Sequence, residues 1–143
     1  MKKILILNGP NLNLLGMREP EVYGADSYDK ICSLIAQHSQ KRGLEAEFYQ
    51  SNSEGGLIDR LHECVGSVDG VILNAGAYTH TSYALRDAVS AIGIPVIEVH
   101  MSNIHAREEF RRKSVISAVC RGQIAGFGVT SYLLAVDALL SIG

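Results

Sequence analysis

The sequence predicts an α/β fold, a five-stranded parallel sheet between two layers of helices, and three observations point to it. Short apolar runs recur along the 143 residues, segments of helical period separate them, and cap or stop residues fall where the period changes. The first strand is ILIL at 4–7. Ile31, Leu34, Ile35 and His38 then share one helical stripe, which Asp26 or Ser27 can cap and Gly43 can end. AEFY at 46–49 is the second strand, and Leu57, Leu61, Cys64 and Val65 form the stripe of the next helix. GVIL at 70–73 precedes a helix with Leu85, Ala88, Val89 and Ile92 on its apolar face and Gly93 at its end. PVIEV at 95–99 is the fourth strand, and residues 104–117 form a shorter helix. QIAGFG at 123–128 is the fifth strand, followed by a last helix with Leu133, Val136 and Leu140 inward. Apolar strands joined by crossover helices imply a parallel sheet buried on both faces, because each crossover returns right-handed to the same sheet. Five such units give three layers with the flavodoxin-like strand order 2-1-3-4-5.

Residues 1–143 are the size of one domain, with no repeat, low-complexity tract or linker. A formal net charge of −2 and a pI near 6.2 give no field that would gather nucleic acid or an acidic membrane, which leaves small molecules and protein subunits as partners. Cys32, Cys64 and Cys120 are odd in number and widely spaced, as expected of buried free thiols in a reducing cytosol, so the expected location is cytoplasmic. The opening MKKILILNG has an apolar run too short for a signal peptide or a membrane span.

In this topology ligands bind beyond the carboxyl ends of the strands, at the switch point between the first and third. The loops there read NGPNLNLLGMREPEVYG, NAGAYTHTS and HMSNIHAREEFRR. They hold nearly all the chemically capable side chains: Asn8, Asn11, Arg18, Tyr23, Asn74, His80, His100, Ser102, Arg107 and Arg111.

Several chemistries fit poorly. The first loop lacks the clustered glycines and Lys-Ser/Thr pair of a phosphate cradle, and Pro10 stands where a backbone donor would be needed. A receiver domain would carry carboxylates where Asn8 and Asn11 stand. His80, His100, His105 and Glu98 invite a metal, yet no HExxH or HxH pattern joins them. Glu98 lies two residues before His100 on a strand, hence on the same face, where a carboxylate orients an imidazole. Ser82 and Ser102 lack a nucleophile elbow, and Lys2, Lys3, Lys30, Lys41 and Lys113 all fall outside the three loops, leaving no imine-forming candidate. Acid-base chemistry on a substrate rich in hydroxyls and bearing one carboxylate remains. A non-catalytic module binding a sugar acid or nucleotide is the alternative.

The stretches NGPNLNLLGMREPEVYG, ILNAGAYTHTS, EVHMSNIHAREEFRR and GFGVTSYLLA resemble, in order and over the whole chain, those of the type II 3-dehydroquinate dehydratases. The resemblance implies dehydration of 3-dehydroquinate to 3-dehydroshikimate in the shikimate pathway, through an enolate and without cofactor, metal or imine. By motif position, Tyr23 is similar to the family's base and Arg18 to the lid residue that activates it. His100, held by Glu98, is similar to the acid that protonates the departing C1 hydroxyl, and Asn11 to the support of the enolate oxygen. Asn74, Met101 and Ser102 correspond to carboxylate binding, His80 and Arg111 to binding of the ring hydroxyls, and Asp87 to a contact from a neighbouring subunit. The resemblance also implies a homo-oligomer, a dodecamer built from trimers. Gly16 and Gly24 would let the segment between them turn as a lid that Pro20 stiffens.

Overall fold

In the computed structural model of the chain, residues 1–17, 20–23 and 26–142 are described, with Pro20 and Tyr23 described by their backbone alone. Among these residues, strands β1 (Lys3–Asn8), β2 (Glu45–Gln50), β3 (Gly70–Asn74), β4 (Val96–His100) and β5 (Gly122–Ala125) pair in parallel in the order β2-β1-β3-β4-β5. This is the order read from the sequence.

Strand alternation explains why the central runs are apolar throughout. Leu5, Leu7, Val71 and Leu73 face one core, shared with α3 (Glu54–Glu63) and α4 (Tyr83–Ile92). Ile4, Ile6 and Ile72 face the other, shared with α2 (Tyr28–Gln40) and α5 (Val129–Ile142). With both faces covered, no position of Ile4–Leu7 or Gly70–Leu73 favours a polar side chain, and polar residues return at Asn8 and Asn74, register partners at the carboxyl ends. A four-residue helix, α1 (Pro20–Tyr23), lies in the connection between β1 and α2. Ser27, Ser53 and Ser82 cap α2, α3 and α4 by accepting the backbone N–H three residues on, a contact worth about 1 kcal/mol each. Gly93, at φ 70°, closes α4 in the left-handed region.

Several local expectations need correction. The stretch 104–117 is not an α-helix; it is broken into 3₁₀ turns at Ile104–Ala106 and Glu109–Arg111, with another at Ser117–Val119. Its polar run offers no stripe wide enough to bury along an α-helix. The fifth strand ends at Ala125, because Gly126 turns to φ 103°. On α5 the buried face is Tyr132, Ala135, Val136 and Leu139, while Leu133 is half-buried and Leu140 exposed. That helix is apolar almost all round, so period alone could not select its inner face. Val65 lies past the end of α3 and is exposed, and Leu34 is half-buried. Of the cysteines only Cys64 is buried; Cys32 and Cys120 are partly exposed. Among the described residues no helix is long and apolar enough to cross a membrane.

Candidate active site

The sheet delivers its polar strand ends to one place. Just past β1, the chain crosses so close to β3 that a Cβ on Gly9 would lie 2.5 Å from the Ala75 carbonyl oxygen, and Gly9 N donates to the Asn74 carbonyl at 2.7 Å. Only glycine fits that crossing. Asn11 follows at φ 69°, a left-handed conformation asparagine tolerates, with its N–H held by Asn52 Oδ1 at 3.0 Å. Asn52 comes from the loop after β2, which the sequence did not mark as part of the site.

These turns frame a cleft open to solvent on one side. Asn11, Asn74, His80, His100, Met101, Ser102 and Arg111 line it, together with Arg107. Seven of the expected site residues thus converge. Glu98 stands behind His100 and is fully buried. Asp87 is on an exposed position of α4 and does not line the cleft. Arg18 lies outside the described residues, as does the side chain of Tyr23. The α1 residues Glu21 and Val22 flank an adjoining depression that shares Met101, Ser102 and Arg107 with the cleft wall.

Glu98 and His100 form a buried pair. His100 Nε2–H donates to Glu98 Oε2 at 2.5 Å, which leaves Nδ1 as the ring nitrogen available to the cleft. The carboxylate is enclosed by further donors: Gln123 Nε2 on Oε2 at 2.8 Å, and the Ser114 and Ser117 hydroxyls on Oε1 at 2.9 and 2.7 Å. Burial pushes the Glu98 carboxyl up, but the hydrogen bond and charge of His100, with the Ser117 and Gln123 hydrogen bonds, outweigh it and hold the group below the ordinary glutamate range. Glu98 therefore stays ionised inside the protein.

His80 is arranged the other way round. Its Nδ1–H donates to the Lys113 carbonyl at 2.7 Å, so Nε2 is the acceptor left for a ligand. Burial lowers its pKa, and the positive charge of His100 and Arg111 adds to that, over the opposing pull of the Lys113 carbonyl and Glu98. The two imidazoles stack with centroids 6.5 Å apart, one set to give a proton and one to accept a hydrogen bond. Arg111 is steered by Glu108 Oε2 at 2.8 Å and by the Phe110 ring at 4.8 Å, and Arg107 reaches the Ser102 hydroxyl at 3.4 Å. Among the described residues no group of three or more His, Cys, Asp or Glu is placed to hold a metal ion, and His105 does not join the cleft lining.

The model of the family described as Dehydroquinase class II matches residues 2–140. The chain belongs to the Dehydroquinase class II family. It is 57% identical over 143 residues to the 3-dehydroquinate dehydratase of Caldicellulosiruptor bescii, covering 99% of each chain. It is 58% identical over 139 residues to that of Ruegeria pomeroyi, covering 97% of this chain and 93% of the relative. The crystal structure of the type II dehydroquinase from Butyrivibrio crossotus superposes with a TM-score of 0.96 at 48% identity, covering 97% of each chain.

In this dehydroquinase-class chain, sequence reasoning missed the residues that hold the site from behind: Ser114, Ser117 and Gln123 around Glu98, and Tyr132 beneath Asn74. Ser114, Ser117 and Gln123 carry no motif of their own. A signal was nonetheless available in GFGVTSYLLA, a long stretch whose catalytic use the sequence did not explain.

Proposed function

We propose that residues 1–143 act as a single catalytic domain that dehydrates 3-dehydroquinate to 3-dehydroshikimate, a hydro-lyase reaction of the shikimate pathway. The observation that carries the reading is the Glu98–His100 pair: a buried carboxylate fixing an imidazole by Nε2, with Nδ1 left to the cleft. Membership of the dehydroquinase family supports the substrate.

In this reading Tyr23, as phenolate, takes a proton from the carbon beside the ketone, and Arg18 stabilises the phenolate. The electron pair moves onto the carbonyl oxygen, where Asn11, acting through water, supports the enolate. When the enolate collapses, the C1–O bond breaks and His100 Nδ1–H gives its proton to the leaving hydroxyl, so that water departs. One proton then passes from Tyr23 back to His100, which resets both groups with no net consumption. Asn74, Ser102 and the 101–102 backbone bind the ring carboxylate. His80 Nε2 accepts a ring hydroxyl, and Arg111 donates to another. Among the described residues that line the cleft none is a lysine, and the reading takes a route without an imine. Purified protein mixed with 3-dehydroquinate should generate the ultraviolet absorbance of a conjugated enone. That rate should survive exhaustive chelation, and borohydride with substrate should leave no adduct. A flat absorbance trace would end the reading, and a substrate-sized mass on a lysine would replace it with an imine mechanism.

The assembly is part of the same proposal: a homo-oligomer, a dodecamer of trimers, in which Asp87 reaches a neighbour's substrate from the exposed side of α4. Tyr23→Phe and Asp87→Ala chains, each inactive, should regain part of the activity when dissociated and reassembled together, since some sites then hold both native residues. Proven mixed assemblies without recovery would place Asp87 in its own chain's site.

A further inference from the structure

The motif GFGVTSYLLA at 126–135 supplies no group to the proposed reaction, yet it grips the site from two sides. Gly126 N donates to the His100 carbonyl at 3.2 Å and Gly128 N to the Met101 carbonyl at 2.9 Å, which fixes the backbone on which the acid stands. Tyr132, 1% exposed on α5, runs beneath the switch point and places its hydroxyl between the carboxyl ends of β1 and β3. We propose that Tyr132 is a positioning residue whose hydroxyl locks the Asn74 carboxamide with its amino group available to the cleft. This rests on the reading of Asn74 as a contact for the substrate carboxylate.

The direction of every hydrogen bond in this relay follows from one group that can only donate. The backbone N–H of Gly76 gives its proton to Asn74 Oδ1 at 3.2 Å, so the opposite end of that amide, Nδ2, must face Tyr132, at 2.9 Å. Tyr132 Oη therefore accepts from Asn74 and spends its single proton on Asn8 Oδ1, at 2.7 Å. Asn8 in turn presents Nδ2 to the hydroxyl of Tyr28, at 3.2 Å, in the first turn of α2. Burial pushes the Tyr132 phenol well above the ordinary tyrosine range, so the proton that sets this polarity stays in place. With Oδ1 and one Nδ2 hydrogen engaged, Asn74 keeps its second Nδ2 hydrogen for the cleft it lines. A flipped amide would offer an anionic ligand a lone pair instead, and repel it.

Removing only the hydroxyl, in Tyr132→Phe, keeps the buried ring while leaving Asn74 Nδ2 and Asn8 Oδ1 without partners. The KM for 3-dehydroquinate should rise about tenfold with kcat within about threefold, because a carboxylate contact acts on bound substrate and transition state alike. In an Asn74→Ala background the same change should add nothing to KM. In the wild-type NMR spectrum one of the two Asn74 Nδ2 protons should exchange with solvent far more slowly than those of an exposed asparagine, and both signals should move in Tyr132→Phe. An unchanged KM, an equal rise in the Asn74→Ala background, or wild-type Asn74 Nδ2 protons that both exchange as fast as those of an exposed asparagine would overturn the assignment. The wild-type spectrum decides even if Tyr132→Phe does not fold. It decides also if the wild-type protein fails to turn over 3-dehydroquinate, in which case only the functional reading falls.

Discussion

Glu98→Gln should lower kcat by about 10²-fold or more while leaving KM within a few-fold of wild type. The reason lies in what the four donors around the carboxylate require. An amide has one accepting oxygen, which must face His100 Nε2–H and Gln123 Nε2, since both are donors there. Its NH2 then faces the Ser114 and Ser117 hydroxyls, which can rotate to accept. The imidazole thus keeps its place and loses only the negative charge behind it. At an effective dielectric of about 20, a carboxylate about 3 Å from an imidazolium contributes about 5 kcal/mol of gross attraction, which the amide no longer supplies. Glu98→Ala removes orientation as well as charge and should unfold more easily, because it strands the Ser114, Ser117 and Gln123 donors and the imidazole. The same group sets an acid limit on stability. Its folded pKa lies below the ordinary glutamate value of 4.5, so the unfolded chain binds the proton first as pH falls. Its contribution is fully present above the unfolded pKa and is lost as pH falls through the folded one. Wild-type melting temperatures should therefore decline below about pH 4.5 more steeply than those of Glu98→Gln. A Glu98→Gln enzyme with kcat within threefold of wild type would reduce the pair to a structural contact.

Arg18→Ala should fold normally, still bind a ring acid through Asn74, His80 and Ser102, and lose kcat by about two orders of magnitude or more. A free tyrosine ionises near pH 10, so at neutral pH well under about 1% of it is phenolate, too little for the base that Tyr23 is proposed to be. A guanidinium about 5 Å away, at an effective dielectric of about 20, favours the phenolate by about 3 kcal/mol, and closing a lid over the pair opposes this by desolvating the charge. The arginine has to exceed that cost for the base to work near neutrality. Without it, the remaining rate should climb further into alkaline pH than the wild-type rate does. Stopped-flow or steady-state pH profiles of the two proteins read this directly. Near-normal kcat with an unchanged profile would make Arg18 a surface residue and remove the lid from the mechanism.

The sequence by itself determined the sheet and the end of it that matters. Runs such as ILIL and GVIL carry no polar residue because both faces of a central parallel strand are covered, and Asn8 and Asn74 announce where each run leaves the core. The Glu98–His100 pairing was also legible, since a spacing of two on a strand puts both side chains on one face. Local rules failed where the signal was weak or the partner distant. Residues 104–117 carry too few apolar positions to specify an α-helix, and α5 carries too many to reveal which face turns inward. Only the tertiary structure decided what holds the reactive groups. Ser114, Ser117 and Gln123 reach Glu98 across separations of 16 to 25 residues, and Tyr132 reaches Asn8 across 124. A hydroxyl or an amide is an ordinary residue anywhere along a chain. It acquires a direction only when packing removes water and leaves one partner within reach, so the orientation of Asn74, His80 and His100 is a property of the folded molecule that no local pattern encodes.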